Sequence, residues 1–255
     1  MSARKCTPIP SSLAALSRAK LARLIAAAFS EPRPDQAERL RHPTVQEEIR
    51  EAARNLGIPS DNVAVFFAAM NGNTGFEEEY IRLLGHTVRS ECPPYELEYR
   101  TAEVFQQSQT LADIMGFYRA FGFDVNGPVP ERADHVATQW EFLAALSMME
   151  AVAQNTDKAL TCIDAQRSFL REHAASWMPA FFERIRRAGP DSGMAHAALL
   201  GRALLENWCR VLDLEIGPRW LELREVTEED STITCGAPGT VELGPGLAAA
   251  MEARN

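Results

Sequence analysis

Asp134 and His135 stand side by side at the start of an apolar segment that runs to about residue 154, directly after a connector holding Gly127, Pro128 and Pro130. An acid and an imidazole in that position can serve in three ways. Asp134 can accept a hydrogen bond from the free N–H groups of a helix's first turn, where its charge suits the positive end of the macrodipole; the pair is then an N-cap followed by a surface histidine. The two can instead be polar contacts for a partner at a groove or hinge. Finally, Thr138 and Glu141 follow Asp134 at i+4 and i+7, so a polar stripe down one helix side would bring two carboxylates within two turns, as in a small hydrolase or nucleotide-binding enzyme. The plain counterpart of that last reading has Asp134 capping, Thr138 facing inward and Glu141 paired with an arginine of a neighbouring helix.

Other chemistry has little to work with. His42, His86, His135, His173 and His196 are isolated, and Cys6, Cys92, Cys162, Cys209 and Cys235 lie far apart, so neither metal-ligand nor C-x-x-C redox spacing occurs. The glycines from Gly236 to Gly246 lack the phosphate-loop pattern and a preceding strand. No cofactor and no metal is expected. An excess of acid, 35 Asp+Glu against 26 Lys+Arg for a net charge of −9, argues against a surface that tracks nucleic-acid phosphates and suits a cationic peptide. Arg18, Lys20 and Arg23 interrupt the first apolar segment, which defeats both a signal-peptide pattern and a membrane span. A cytoplasmic protein with reduced thiols is the expectation.

The elements that must position these residues are helices. Apolar residues recur at helical spacing and no alternating run is long enough for a sheet, which predicts an all-α bundle of about nine to eleven helices. Ser11 or Ser12 caps a first helix ending near Ser30, and a Pro-interrupted connector comes after it. Thr44-x-x-Glu47 forms a capping box for a helix that stops at Gly57, and Thr74-x-x-Glu77 forms one for a helix ending at Gly85. Between them lie a short apolar helix over 61–70 and a turn at Asn71-Gly72-Asn73. Pro93-Pro94 break the rhythm in a loop over 86–100, and a helix over 101–121 closes at Gly122. The 134–154 segment is apolar around most of its circumference and is the expected central helix, succeeded by helices at about 157–174, 177–188 and 192–214. This organisation gives an N-terminal tail at 1–10, a helical domain over 11–224 with a hinge at 123–134, and an acidic, Gly/Pro-containing tail over 225–255.

In order along the chain, Tyr80-x-x-Leu83-Leu84, Pro93-Pro94-Tyr95-Glu96, Tyr118-x-x-Phe121-Gly122, Asp134-His135 and Trp140-Glu141-Phe142-Leu143 resemble the TorD/DmsD/NarJ family of assembly chaperones for molybdenum oxidoreductases. The resemblance covers about residues 62 to 150. It implies an all-helical chaperone, not an enzyme, that binds the catalytic subunit of a molybdopterin oxidoreductase before cofactor insertion, through its twin-arginine leader, its mature surface or both. By position it implies a client site made of Tyr80, Leu83, Leu84, Pro93, Pro94, Tyr95, Asp134, His135 and Glu141. The chain departs from the family pattern at Ala133, where proline is usual, at Gln139-Trp140 in place of Glu-Leu, and at Leu84 in place of phenylalanine. A monomer and a homodimer are both compatible with these features. The remaining alternative is a helical interaction module without a redox client.

Overall fold

The computed structural model describes residues 12–72, 76–85, 90–100, 104–125 and 131–225. The chain divides into two units, Met1–Arg224 and Glu225–Asn255, and the first contains every helix among the described residues. These helices are α1 (Ser12–Phe29), α2 (Pro34–Arg41), α3 (Pro43–Leu56), α4 (Ser60–Gly72), α5 (Phe76–Leu84), α6 (Val104–Ala120), α7 (Val136–Ala151), α8 (Thr156–Phe169), α9 (Ala175–Ala188) and α10 (Gly193–Leu212). A 3-10 turn occupies Glu96–Tyr99 and a π-helical segment, Leu170–Ala174, joins α8 to α9. Among the described residues there is no strand, and the fold is all-α as expected.

The centre is α7 against α1. Ala15, Ala19, Ala22 and Ala26 of α1 are all buried at alternating spacings of four and three, a row of small side chains that lets a second helix axis approach closely. α7 fills the space with Trp140, Phe142, Leu143 and Leu146, none of them exposed, and is buried around most of its girth. Because most of the circumference of α7 is buried, the polar groups it turns inward need partners there. Glu150 receives two bonds from Arg18 of α1 at 2.9 Å and one from Gln166 of α8 at 2.8 Å, while Trp208 of α10 donates to Gln166 at 3.1 Å. One buried charge pair thus ties four helices together.

Several helix ends differ from expectation. Residues 34–41 form α2 instead of a connector, because Pro34 stands at the first helical position, where the missing N–H is not needed; Asp35 and the arginines 39 and 41 then complement the dipole. Pro43 opens α3 in the same way, so the cap is His42, whose Nδ1 accepts from Thr44 N–H at 3.3 Å. The expected capping box does not form. Thr44 lies inside the helix, and Glu47 pairs with Arg54 at 2.9 Å. Gly57 ends α3 in the left-handed region, φ 67°, as its type suggests. α4 extends through Asn71 and Gly72, whereas Ser11, Asn73, Thr74, His86 and the 126–130 stretch with Gly127, Pro128 and Pro130 lie outside the described residues.

Instead of a break near residue 175, α8, the π segment and α9 form one continuous rod. Pro179, inside α9, has no N–H to offer the carbonyl of Ala175. That carbonyl accepts from Gly217 N–H at 2.8 Å instead, which draws the chain after α10 back across α9. Arg184 continues the attachment, donating to the Leu221 carbonyl at 2.8 Å, and Trp220 lies under both Arg184 and Arg187, at 4.3 and 4.6 Å. The strap ends with Arg224 on Glu98 of the 3-10 turn.

Candidate functional site

The loop that carries Pro93-Pro94 is stitched to the start of α7. Cys92 N–H donates to the Leu83 carbonyl of α5, Val136 N–H to the Pro94 carbonyl at 2.8 Å, and Glu96 N–H to the Asp134 carbonyl at 3.0 Å. The last two flank an isolated antiparallel bridge between Tyr95 and His135. A proline suits this register because it holds the chain extended and keeps its carbonyl free to take the N–H of Val136, which has no partner within the helix.

His135, not Asp134, caps α7. Its Nδ1 accepts from Ala137 N–H at 3.2 Å, which fixes the ring proton on Nε2. The buried ring stands edge-on to Tyr95 at 5.2 Å, and burial lowers its pKa from the ordinary histidine value to about 4, so it is neutral at pH 7. Glu131 Oε2 lies 3.9 Å from Nε2, too far for a hydrogen bond and, with the ring neutral, not an ion pair.

Asp134 is fully buried and faces the 3-10 turn, where its Oδ2 accepts from Leu97 N–H at 3.2 Å. Arg132 grips both its oxygens, Nε to Oδ1 at 3.0 Å and Nη2 to Oδ2 at 2.9 Å. Burial raises the Asp134 pKa, opposed chiefly by the Arg132 charge. The same guanidinium lies 4.3 Å over the Tyr95 ring, and the Tyr95 hydroxyl meets Glu131 at 3.3 Å. At the surface the result is a half-buried tyrosine with Arg132 and Glu131, both exposed, beside it.

Beneath the loop lies a second set of groups. Glu96, fully buried, accepts from Gln139 of α7 and from Arg100, and faces His173 Nδ1 at 3.1 Å. Gln139 in turn accepts from Trp177 at 3.1 Å, and His173 Nε2 faces Asp113 of α6 at 3.2 Å. Tyr118 of α6 donates to the Ala133 carbonyl at 2.7 Å.

Of the residues expected at the site, Pro93, Pro94, Tyr95, Asp134 and His135 come together. Tyr80, Leu83 and Leu84 are buried in the core, so the α5 face they form is packed instead of open; burial and the nearby Glu131 and Tyr95 push the Tyr80 phenol up. Glu141 is exposed further along α7, with no ion pair among the described residues; Arg23 and Arg33 are the cations that bear on it. Asp134 and Glu141 therefore do not form a facing pair of acids. The residues missed from the sequence are Arg132, Glu96, Arg100 and His173. Three of them carried a signal: Arg132 stands two positions before Asp134, and Glu96 and Arg100 are at i,i+4. Nothing in the sequence marked His173, which is brought in by the π segment.

Among the described residues no group of three or more His, Cys, Asp or Glu is placed to hold a metal ion, and no helix is long and apolar enough to cross a membrane. Comparison with known proteins supplies the remaining observation. A family model described as nitrate reductase delta subunit matches residues 43–183. The chain is 28% identical over 106 residues to the chaperone protein TorD of Vibrio cholerae serotype O1, covering 42% of this chain and 47% of that protein. It is 36% identical over 76 residues to the chlorate reductase assembly chaperone protein of Ideonella dechloratans (29% of this chain, 39% of the relative). It is 34% identical over 102 residues to the selenate reductase assembly chaperone protein of Thauera selenatis (36% and 53%). The matched parts span about half the length of these relatives or less. With more than half of its length matched by the family model and an all-α core built around the stitched Pro93–Glu96 and Asp134–His135 segments, the chain belongs to the nitrate reductase delta subunit family.

Proposed function

We propose that this protein is a cytoplasmic assembly chaperone that binds the catalytic subunit of a molybdopterin oxidoreductase before cofactor insertion and export. It binds an immature polypeptide and makes or breaks no covalent bond. The observation that carries the reading is the saturation of the Asp134–His135 site: both Asp134 oxygens and His135 Nδ1 are already engaged inside the protein, leaving a rigid platform of Tyr95, Arg132 and Glu131 instead of a free acid and base. The three relatives, each named as a chaperone or assembly chaperone, support it.

In this reading Tyr95, held between a guanidinium and an imidazole, offers a rigid amphipathic contact at little entropic cost. Asp134, His135, Pro93 and Pro94 set its position, and Tyr80, Leu83 and Leu84 support the loop from below. A twin-arginine leader, cationic at one end and apolar beyond, suits the protein's net charge of −9. Glu141, exposed on α7 in the field of Arg23 and Arg33, stands outside this platform.

The test is client recovery. Tyr95→Ala removes the contact while the backbone bridge to His135 remains, so the variant should keep its thermal midpoint within a few degrees. Co-expressed with the native client, it should yield at least fivefold less active oxidoreductase in the same host. Undiminished recovery, or absence of any molybdopterin oxidoreductase among proteins co-purified from the native host, would reject the reading.

A further inference from the structure

A trough of about 550 Å³ lies on another part of the surface, between α6 and the α8–π rod. Its floor is apolar: Phe117, half-buried, is held edge-on by Phe169 at 5.4 Å and by His173 at 5.7 Å, and Phe121 and the buried Ala165 extend it. Its rim carries Asp113, Asp164 and Glu172, with no lysine or arginine lining it.

Gly116 sits on the α6 side of this trough, and a Cβ placed there would meet nothing within 4 Å. A mid-helix glycine costs about 1 kcal/mol relative to alanine, and here no neighbour inside the fold requires the missing side chain. Its effect is to keep the trough open toward solvent. The rim acids do have partners: Asp164 pairs with Arg167, Glu172 with Arg171 at 2.6 Å, and Asp113 with His173. Arg167 and Arg171 stand on the adjoining face of the rod, within reach of those acids, and also line a separate cleft with the strap that follows α10. Exposed pairs of that kind contribute only about 0–1 kcal/mol, so an incoming guanidinium can replace them.

We infer that the α6–α8 trough is a second docking site, for an arginine-bearing, apolar-faced segment of the client polypeptide: Phe117, Phe121 and Ala165 bury its aliphatic side chains, and Asp113, Asp164 and Glu172 take its guanidinium groups. Charge favours this occupant over an acidic one, since the ionic residues lining the trough are all carboxylates whose own arginine partners are exchangeable, and apolar contact alone would not discriminate. The inference rests on the chaperone reading only for the source of the segment; the trough's chemistry stands without it. Asp113, through His173, also contacts the Glu96 cluster beneath the Tyr95 loop.

The experiment uses the full chain and a labelled synthetic peptide of about 14 residues, long enough for four helical turns, with arginine on one helical face and leucine on the other, read by fluorescence anisotropy. Gly116→Leu, which fills the trough from a position without neighbours, should keep or raise the thermal midpoint and weaken binding at least tenfold. Gly116→Ala should bind within twofold of the parent. Asp164→Asn with Glu172→Gln should weaken binding about fivefold at low salt and much less at 0.5 M, where such attractions are screened to roughly 4 Å. Equal affinity for Gly116→Leu and the parent, no binding by the parent, or equal binding of a peptide with glutamate in place of arginine would each overturn the inference. Peptide binding lost in Gly116→Leu while client recovery is unchanged in both Gly116→Leu and Tyr95→Ala would uphold the trough's specificity and remove the chaperone reading alone.

Discussion

His135 joins two roles in one ring: it caps α7 through Nδ1 and supports Tyr95 with its edge. Because the fold holds it neutral, with a pKa of about 4 against about 6.5 in the unfolded chain, the stabilisation is complete above pH 6.5 and is lost as pH falls toward 4, where the unfolded chain takes up a proton that the folded one refuses. The shift corresponds to about 3 kcal/mol at most. Asparagine at this position can still accept from the first-turn N–H groups but does not titrate. His135→Asn should therefore lose markedly less stability than the parent between pH 7 and pH 4.5 in urea denaturation, with a difference of about 2 kcal/mol; parallel pH profiles would show that His135 does not set the acid limit. Asp134 works in the opposite sense, since its raised pKa means that ionising it carries a desolvation cost which Arg132 offsets. The acid's position in the chain made it look like the cap. In the folded chain its carboxylate is drawn to Leu97 and Arg132, a long-range arrangement that helical spacing alone does not encode.

Among the helices, legibility in the sequence depended on whether an element buries a periodic face. Periodicity located α1, α3 to α7 and α10 because each buries a recurring apolar face, and the ordered motifs assigned Tyr95 and His135 to one site without indicating the bridge that joins them. It missed α2, whose composition is polar, and the strap, which has no periodicity because its partners are carbonyls and arginines on α9. The strap depends on the pairing of Pro179 with Gly217. A Cβ at Gly217 would come within 2.4 Å of the Ser176 carbonyl oxygen and 2.7 Å of that of Ala175, so alanine there must push the strap away. Gly217→Ala should destabilise by about 2 kcal/mol, as overpacking against unyielding backbone does, and should expose the 217–224 stretch to limited proteolysis. On a Pro179→Ala background the penalty should shrink, because the new N–H at residue 179 can satisfy the Ala175 carbonyl when the strap lifts. Equal penalties on both backgrounds would show that the proline does not hand this carbonyl to the strap.

For the molecule as a whole, the central question is how a bundle with so apolar a middle keeps one arrangement of its helices. Aliphatic and aromatic contacts among α1, α7, α8 and α10 are non-directional and tolerate sliding, whereas the Arg18–Glu150–Gln166–Trp208 set does not. Arg18 and Glu150 are each about 3% exposed at the side chain, so removing one leaves the other charged and unpaired in the interior. Arg18→Met should therefore cost about 3–5 kcal/mol, more than its lost packing would suggest. Replacing both, as Arg18→Met with Glu150→Gln, removes the stranded charge while the new amide can still accept from Gln166. Most of the lost stability should then return. If the set also fixes the register of the helices, the double variant will recover its denaturation midpoint but show faster amide exchange in α1 and α10 than the parent. Recovery of both would mean that packing alone positions the helices, and a double variant no more stable than Arg18→Met would mean that the stranded carboxylate is not the source of the loss.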